Sequence, residues 1–294
     1  KDKEWKYGGY SDLKISRKRN TKVQLKFQQD LIERGGQRFT SGVFDLNDTD
    51  RLRFFFIEQM ERQRLAEFAF STDIKANMNV RIFTNYQRIE FTEGYEFTPL
   101  DNTVFSDPEK VDIAEIGGEF KWNIGERYIF LGESKVSQGL KHPSIRIKAI
   151  RGIQGVWESK YDYWRFNASI SHKVNVRDYF VLHLHLTATK TIGDVPLFLM
   201  HNGKGTKINW MVDVENTFQT MIAGSYYSQE QIAFFSRIKF KSIHTKAKWN
   251  EPTLSLHHSL GYGQFKNSTN HQFDFKTMEK GYLEAGMTID NLYI

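Results

Sequence analysis

The stretch from Tyr163 to Ala188, YWRFNASISHKVNVRDYFVLHLHLTA, contains the clearest pattern in the chain. Apolar side chains occupy every second position from Trp164 to Ile170, and the alternation returns from Phe180 to Ala188. Successive side chains of a β-strand point to opposite faces, so this period of two predicts two strands, each with one apolar and one polar face. The polar residues between the two runs predict a turn, and the whole stretch therefore indicates a β-hairpin.

The same alternation recurs along the chain. The runs from Ile74 to Ile82 and from Leu283 to Ile289 are clear examples, and Gly117 with Gly118 suggests a bend or bulge within another strand. The segment from Arg127 to Leu131 is predicted to begin a return strand after a turn. No shift in composition marks a linker, so residues 1–294 are interpreted as a single all-β domain of about 12 to 16 antiparallel strands.

Composition limits the class of protein. The chain has 294 residues and no Cys, which excludes a disulfide scaffold. No apolar run reaches the ~18 residues of a membrane helix, whereas a transmembrane β-strand needs only about 10 residues of alternating hydrophobicity. The net charge of +6 would allow a nucleic-acid partner, but the charges are scattered among the strands and no nucleic acid is predicted.

The number of polar side chains on one face of the predicted strands indicates which face points toward the interior. Lys, Arg, Glu, Asn and His follow one face of many strands, more than the core of a compact sandwich could hold. A closed barrel satisfies every backbone group in hydrocarbon, so the pattern favours a transmembrane antiparallel β-barrel with a wet lumen and an apolar exterior. A large soluble β-protein, such as a lectin or a propeller, remains the alternative. Aromatic residues predicted to form interfacial girdles are Trp122, Tyr128, Tyr161, Trp164, Tyr179 and Tyr282.

Five segments carry a resemblance to a known family. They are EIGGEFKWNIGERYIFLG (Glu115 to Gly132), HPSIRIKAIRGIQGVWESKYDYWRFNASISHKV (His142 to Val174), GDVPLFLMHNGKG (Gly193 to Gly205), NTFQTM (Asn216 to Met221) and HQFDFKTMEKGYLEAGMTIDNLY (His271 to Tyr293). In this order they resemble the C-terminal part of a family of Bacteroidota outer-membrane proteins, in which a carboxypeptidase-regulatory-like β-domain precedes a barrel of unknown function. The resemblance covers roughly residues 110–294.

The resemblance implies a barrel in the bacterial outer membrane and an upstream region beyond these 294 residues. It also implies a relation to the assembly-factor superfamily that contains BamA and TamA, in which a loop folds into the lumen. The residues that match such a loop are Pro196, His201, Asn202, Gly203 and Gly205. This chain departs from that superfamily's Arg-Gly-aromatic signature, since it has Lys204, Gly205 and Thr206.

Several polar motifs could suggest chemistry. His183 and His185 share one strand face as a metal pair could, but no third ligand has suitable spacing. Neither Ser144 near His142 nor Ser259 near His257 has a nucleophile-elbow context. The glycines after Pro196 lack a P-loop signature and are interpreted as turn residues. We therefore predict no catalytic residue, no metal and no cofactor.

The basic residues on the polar face form the most distinctive charged set. They are Lys75, Arg81, Arg146, Lys148, Arg165, Arg237 and Lys239. Either they solvate a lumen in cross-strand pairs with Glu67, Glu115, Glu119 and Glu284, or they favour anionic solutes or the phosphates of lipopolysaccharide.

These observations predict a non-enzymatic outer-membrane barrel that acts in translocation, assembly or scaffolding of protein or lipid. Expected partners are outer-membrane lipid, lipopolysaccharide, and other outer-membrane or periplasmic proteins in an envelope complex. A porin-like passive channel for anionic solutes and an outer-membrane hydrolase remain as alternatives. A lumen filled by Gly193 to Thr206, or an open seam between the first and last strands, would favour assembly over diffusion.

Overall fold

The computed structural model describes residues 6–36, 57, 60–91, 95, 97–100, 110–132, 134–139, 143–177, 179–207, 214–241, 252–266 and 270–290. Eleven long strands are β1 (Tyr7–Ser16), β2 (Thr21–Glu33), β3 (Met60–Lys75), β4 (Met78–Glu90), β5 (Lys110–Asn123), β8 (Ser144–Gly152), β9 (Tyr163–Val176), β10 (Phe180–Ile192), β15 (Glu230–Phe240), β16 (Thr253–Gln264) and β17 (Tyr282–Asp290). Short strands are β6 (Tyr128–Leu131), β7 (Ser134–Ser137), β11 (His201–Asn202), β12 (Gly205–Lys207), β13 (Phe218–Ile222) and β14 (Tyr227–Ser228), and a 3₁₀ turn covers Leu197–Leu199. No helix in this described part of the chain is long and apolar enough to cross a membrane.

The eleven long strands form one antiparallel sheet, which we call the wall. Each wall strand pairs with the next wall strand along the chain, in the order β1-β2-β3-β4-β5-β8-β9-β10-β15-β16-β17. Strands β1 and β17 are its edges, and they do not pair with each other within the described ranges. The expected hairpin of Tyr163 to Ala188 is confirmed as β9 and β10, with Ala168 directly opposite Ala188.

The wall is curled. Ile89 on β4 and Phe265 just after β16 belong to one buried cluster, although six strand spacings of a flat sheet would separate them by about 29 Å. The connections after these two strands also meet, because the Thr98 N–H donates to the Asn270 carbonyl oxygen at 2.9 Å. The polar face of the wall therefore surrounds an interior.

The apolar face of the wall is exposed and the polar face is buried. On β3, Phe68 and Phe70 are 47% and 38% exposed, whereas Ser71 and Asp73 are 8% exposed. Other exposed outward residues are Leu25, Phe27, Ile82, Ile116, Ile147, Trp164, Phe166, Ile170, Ile232, Leu256, Leu260, Tyr262, Leu283, Met287 and Ile289. A soluble β-protein buries its apolar side chains, so this arrangement has the sidedness expected of a lipid-facing barrel.

The two ends of the wall differ in the length of their connections. At one end, which we call the short-turn end, residues 17–20, 76–77 and 177–179 form tight turns between consecutive strands, while residues 124–143 and 241–252 form longer connections. At the opposite end, the long-loop end, residues 193–229 and 265–281 form much longer connections. Bacterial outer-membrane barrels show this same asymmetry.

Two details of the wall differ from the expectation. No bulge occurs at Gly117 and Gly118, because the register of β4 and β5 continues through them; instead, a Cβ on Gly117 would overlap the Phe83 ring. The segment from Arg127 to Leu131 does not start a wall strand. It contributes to the separate β6–β7 hairpin, and the wall resumes at Ser144 because that run has the longer alternating pattern.

Two of the expected girdle residues point inward. Tyr161 is 3% exposed in the interior cluster, and Tyr282 packs against Phe218 with 5.2 Å between ring centroids. An aromatic residue at a strand end fits either face, so its position alone does not reveal the side. Alternating sequence at residues 43–46 and 51–56 also predicts strands, but these residues lie outside the described part of the chain.

Candidate functional site

The candidate functional site lies in the connection between β10 and β15, and we call its described residues, 193–207 and 214–229, the insert. It leaves the wall at the long-loop end and folds against the polar inner face instead of extending away from it. β11 pairs with β14, and β12 pairs with β13, so the insert has hydrogen-bonded structure of its own. The sequence lacks alternation here, and an apolar run, Val195 to Met200, leads into it.

That apolar run anchors the insert. All six residues from Val195 to Met200 are buried, and Leu197 is completely inaccessible. All of them except Pro196 pack in one cluster with Ile89, Ile113 and Tyr163 from three wall strands. Burial of a Leu side chain stabilises by roughly 1.5–3 kcal/mol, so this run holds the start of the insert inside the wall.

A second apolar cluster anchors the end of the insert. Phe218 and Met221 on β13 pack with Phe235 on β15, and the rings of Phe218 and Phe235 lie 5.0 Å apart. Neighbouring glycines permit this packing. A Cβ on Gly203 would lie 2.5 Å from Met221 Sδ, so that position has no room for a side chain.

Hydrogen bonds fix the residues expected to form a lumen loop. Asn202 donates from Nδ2 to the Arg34 carbonyl oxygen at 3.1 Å, and its N–H donates to the Gly35 carbonyl oxygen at 3.1 Å. Nε2 of His201 lies 3.0 Å from Thr191 Oγ1. Burial lowers the pKa of His201 to about 3, so this imidazole is neutral at physiological pH. The structure thus brings Pro196, His201, Asn202, Gly203 and Gly205 together in the interior.

A buried charge pair supports this contact. Arg34 Nε donates to Glu61 Oε1 at 2.6 Å, and the two side chains are 1% and 0% exposed. The guanidinium lies 5.2 Å from the ring centroid of Tyr95, and Tyr95 Oη accepts the Leu197 N–H at 2.7 Å. The wall, the loop after β4 and the insert therefore meet at Arg34.

The last strand is bound to the insert as well. The Glu284 carboxylate on β17 accepts hydrogen bonds from the N–H of Gln219 at 2.9 Å, the N–H of Thr220 at 3.0 Å and Thr220 Oγ1 at 2.7 Å. Charge-assisted bonds of this kind are about twice as strong as neutral ones. The insert is thus attached both to the first half of the wall and to its final edge strand.

Comparison with known proteins places this architecture in a family. Residues 54–236 match the model described as "Family of unknown function (DUF5686) C-terminal domain", which covers more than half of the chain and includes most of the wall and the insert. The chain belongs to this family. No curated protein shows significant sequence similarity to it.

The fold of this DUF5686 C-terminal domain is also found among solved structures. It is similar to the crystal structure of BamA from Haemophilus ducreyi lacking POTRA domains 1–3, with a TM-score of 0.60 and 10% sequence identity over 97% of the present chain. The present chain spans 55% of that BamA chain. The expected barrel fold is therefore confirmed, and it is similar to that of BamA.

The basic residues predicted on the inner face of the DUF5686 domain separate into two groups. Arg81 Nη2 lies 2.5 Å from Glu67 Oε1, and Arg165 Nη2 lies 3.1 Å from Glu115 Oε1. Buried Lys148 lies directly opposite Glu119, and Arg146 is on the same strand face. In this first group, the carboxylates of Glu67, Glu115 and Glu119 compensate the positive charges. Arg237 is elsewhere, 3.3 Å from Glu215 of the insert, and Lys75 and Lys239 are exposed.

The His and Ser residues considered for chemistry have other environments. His183 and His185 both face a cavity beside the insert, whereas the neighbours His257 and His258 lie on opposite faces of β16. Ser144 Oγ donates to Asn123 Oδ1 at 2.7 Å; His142 lies outside the described residues. Within the described ranges, no group of three or more His, Asp or Glu is placed to hold a metal ion.

Sequence reasoning missed the residues that attach the insert to the wall. Arg34, Glu61, Tyr95 and Glu284 come from four distant parts of the chain, and 168 positions separate Arg34 from Asn202. One signal was available for the insert itself. The run from Val195 to Met200 is apolar without alternation, and such a run indicates burial on every side.

Proposed function

We propose that this protein is a component of the bacterial outer membrane that assists translocation, assembly or scaffolding of envelope components. The observation that carries the proposal is a folded, hydrogen-bonded insert inside a curled wall whose outer face is apolar. An apolar exterior suits hydrocarbon, where all backbone groups must be paired within the protein. The family resemblance supports a location in Bacteroidota, with lipid and lipopolysaccharide around the wall.

The filled interior favours assembly over passive diffusion. An open porin needs a continuous aqueous lumen, whereas here Leu197, Phe218 and Tyr227 of the insert are completely inaccessible to solvent. Both edges of the wall, β1 and β17, could pair with a strand from another protein, because an edge strand presents unpaired N–H and C=O groups. The similarity in fold to BamA also supports a role in assembly rather than passive diffusion.

The proposal includes no catalytic role. Ser144, whose hydroxyl could serve as a nucleophile, donates instead to Asn123 Oδ1 at 2.7 Å. A serine committed to an amide oxygen is not activated by a base. The partners proposed are other outer-membrane or periplasmic proteins, which would approach at the wall edges or the exposed ends of the strands.

Planar-bilayer conductance tests the filled interior. The wild-type protein should show little steady conductance, and replacement of residues 195–228 by a short Gly-Ser linker should produce large, stable channels. The substitution Ile222→Ser, at an exposed residue of the insert, serves as the matched control and should leave conductance unchanged. A large steady anion current through the wild-type protein would favour the passive channel.

Depletion of the protein in its native cells tests the assembly role. The proposal expects reduced amounts of other outer-membrane proteins or of surface lipopolysaccharide, measured by quantitative mass spectrometry of outer-membrane fractions. Restoration by the wild-type protein, but not by the linker variant, would assign the effect to the insert. A change in solute uptake with unchanged membrane composition would contradict the proposal.

A further inference from the structure

A row of basic side chains crosses four neighbouring wall strands beneath the insert. Lys173 on β9 is directly opposite His183 on β10, His183 is opposite Arg237 on β15, and Arg237 is opposite His257 on β16. Adjacent strands are about 4.8 Å apart, so the four side chains are immediate neighbours on the inner face. Lys173 and Arg237 carry positive charge, and the two imidazoles between and beside them are hydrogen-bonding groups. The row therefore offers an anion both charge and hydrogen bonds.

A cavity lies over this row. Its volume is about 250 Å³, and segment 214–219 of the insert forms its opposite side. Pockets for drug-sized ligands are generally larger, at about 300–1,000 Å³, so the cavity suits a small ligand. Ser171 and Ser259 add hydroxyl groups to its lining.

The insert supplies one carboxylate to this cavity. Glu215 Oε1 accepts a bond from Arg237 Nη1 at 3.3 Å, and the Glu215 side chain remains 46% exposed. A long, half-exposed pair of this kind contributes little to stability and is readily exchanged for another anion. Glu215 thus marks the place where a negatively charged group is accepted.

His257 is prepared for a polar ligand. Its ring lies against Gly286 of β17, where any Cβ would overlap it. Its Nδ1 atom is buried and has no hydrogen-bond partner in the protein. A buried nitrogen without a partner is unfavourable, and a hydrogen bond to a ligand would remove that penalty.

We propose that this cavity binds a small phosphate-class oxyanion between His183, Arg237 and His257, in place of the Glu215 carboxylate. Arg pairs with phosphate oxygens through two parallel N–H groups, and the two imidazoles add single donors on either side. Lys173 contributes positive charge at the margin of the cavity. Binding releases Glu215 and thereby frees one contact between the insert and the wall.

Calorimetric titration of the detergent-solubilised protein with inorganic pyrophosphate at pH 7.0 tests the site. The wild-type protein should bind saturably, and Arg237→Gln should weaken binding by about ten- to a hundred-fold, which is the loss of one or more hydrogen bonds to a charged group. Glu215→Gln should strengthen binding, because the competing carboxylate is lost. Retained heat-modifiable migration on gels establishes that each variant is folded.

Matched controls come from the opposite face of the same strands. His257→Gln should weaken binding about ten-fold, whereas His258→Gln, one residue along β16 and facing outward, should leave it within about two-fold. If Arg237→Gln does not fold, the other two variants still test the site, because His257→Gln should weaken pyrophosphate binding and Glu215→Gln should strengthen it. Absence of saturable binding to the wild-type protein, or equal effects of the His257 and His258 variants, would overturn the proposal.

A competition arm identifies the source of the phosphate group. Short-chain phosphatidic acid that displaces pyrophosphate would assign the site to a lipid headgroup, and failure to displace it would assign the site to a soluble phosphate compound. Both results retain the phosphate-class site. Displacement that persists unchanged in Arg237→Gln would show that the two ligands bind elsewhere, and it would contradict the proposal.

Discussion

At the scale of single residues, the insert is held by polar groups that are buried and paired. Arg34 and Glu61 exchange a charge-assisted bond beneath the insert, and Asn202 bonds to the backbone beside them. A buried ion pair adds little net stability over an apolar pair, but loss of one partner leaves an uncompensated charge. The Arg34–Glu61 pair fixes the position of Arg34, so that its carbonyl oxygen can accept a hydrogen bond from Asn202.

Arg34→Met should therefore destabilise the protein strongly. Loss of one member of a buried pair costs about 3–5 kcal/mol, which should lower the temperature at which heat-modifiable gel migration is lost. Arg64→Met is the control, because Arg64 is 47% exposed and its ion pairs are at the surface. The double variant Arg34→Met with Glu61→Gln should recover part of the loss. Equal effects of the Arg34 and Arg64 variants would contradict this interpretation.

Glu284 should couple the last strand to the insert. Glu284→Gln replaces an anionic acceptor of three bonds by a neutral one and should weaken insert docking by about 1–3 kcal/mol. Hydrogen exchange of residues 218–222 measures the effect, which should be faster in the variant. Glu230→Gln, which removes an exposed pair with Lys190, is the matched control. Unchanged exchange in Glu284→Gln would show that β13 is held by its apolar contacts alone.

Two buried imidazoles should make stability depend on pH. Burial lowers the pKa of His271 to about 4 and that of His201 to about 3, both below the ordinary value of 6.5. Between about pH 6.5 and pH 4 the unfolded chain binds protons that the folded protein does not. The free energy of unfolding therefore decreases as the pH is lowered, by up to about 1.4 kcal/mol per pH unit for each His.

Thermal unfolding of the wild-type protein at pH 7.5, 6.0 and 5.0 measures this slope. His271→Phe keeps an aromatic ring beside Phe97, whose centroid lies 5.0 Å from the imidazole, and it should remove about half of the slope. The variant also loses the bond to Tyr95, which should lower stability equally at every pH. An unchanged slope in the variant would assign the pH dependence to other groups.

At the scale of elements, strict alternation predicts the wall strands well. β9 and β10 follow the sequence pattern because each outward position must be apolar and each inward position polar along about ten consecutive residues. The insert is predictable only as an irregular segment whose resemblance implies a lumen position. Its attachment depends on contacts such as Asn202 to Arg34, which join residues far apart in sequence, and no local pattern encodes them.

The outward face of β10 should tolerate charge near its end better than at its centre. Leu186→Arg places a cation opposite Ile170 and Phe234 in the apolar belt and should cost about 2–4 kcal/mol on folding into bilayers. Ile192→Arg, at the last residue of the same strand face, should cost about 0–1 kcal/mol. Denaturant titration in lipid vesicles measures both. Equal small costs would indicate that this face does not meet hydrocarbon.

At the scale of the whole molecule, an exposed apolar exterior surrounds an interior that holds the insert. The likeness to BamA concerns the fold, and the insert in this chain lacks the Arg-Gly-aromatic signature expected of that superfamily. In this chain Arg34, directly after β2, supports the insert through its own backbone.

The sidedness of the wall is the central claim, and nitroxide accessibility in bilayers tests it most directly. The chain has no Cys, so single labels can be introduced at Trp164, Phe166, Ala168 and Ile170 on the outward face of β9, and at exposed inward positions Lys173 and Asn175. The account predicts that the outward labels are relaxed by lipid-soluble oxygen and protected from a water-soluble nickel reagent, with the opposite result at the inward positions. Outward labels that are open to the nickel reagent, in a protein that stays monodisperse without detergent, would contradict it.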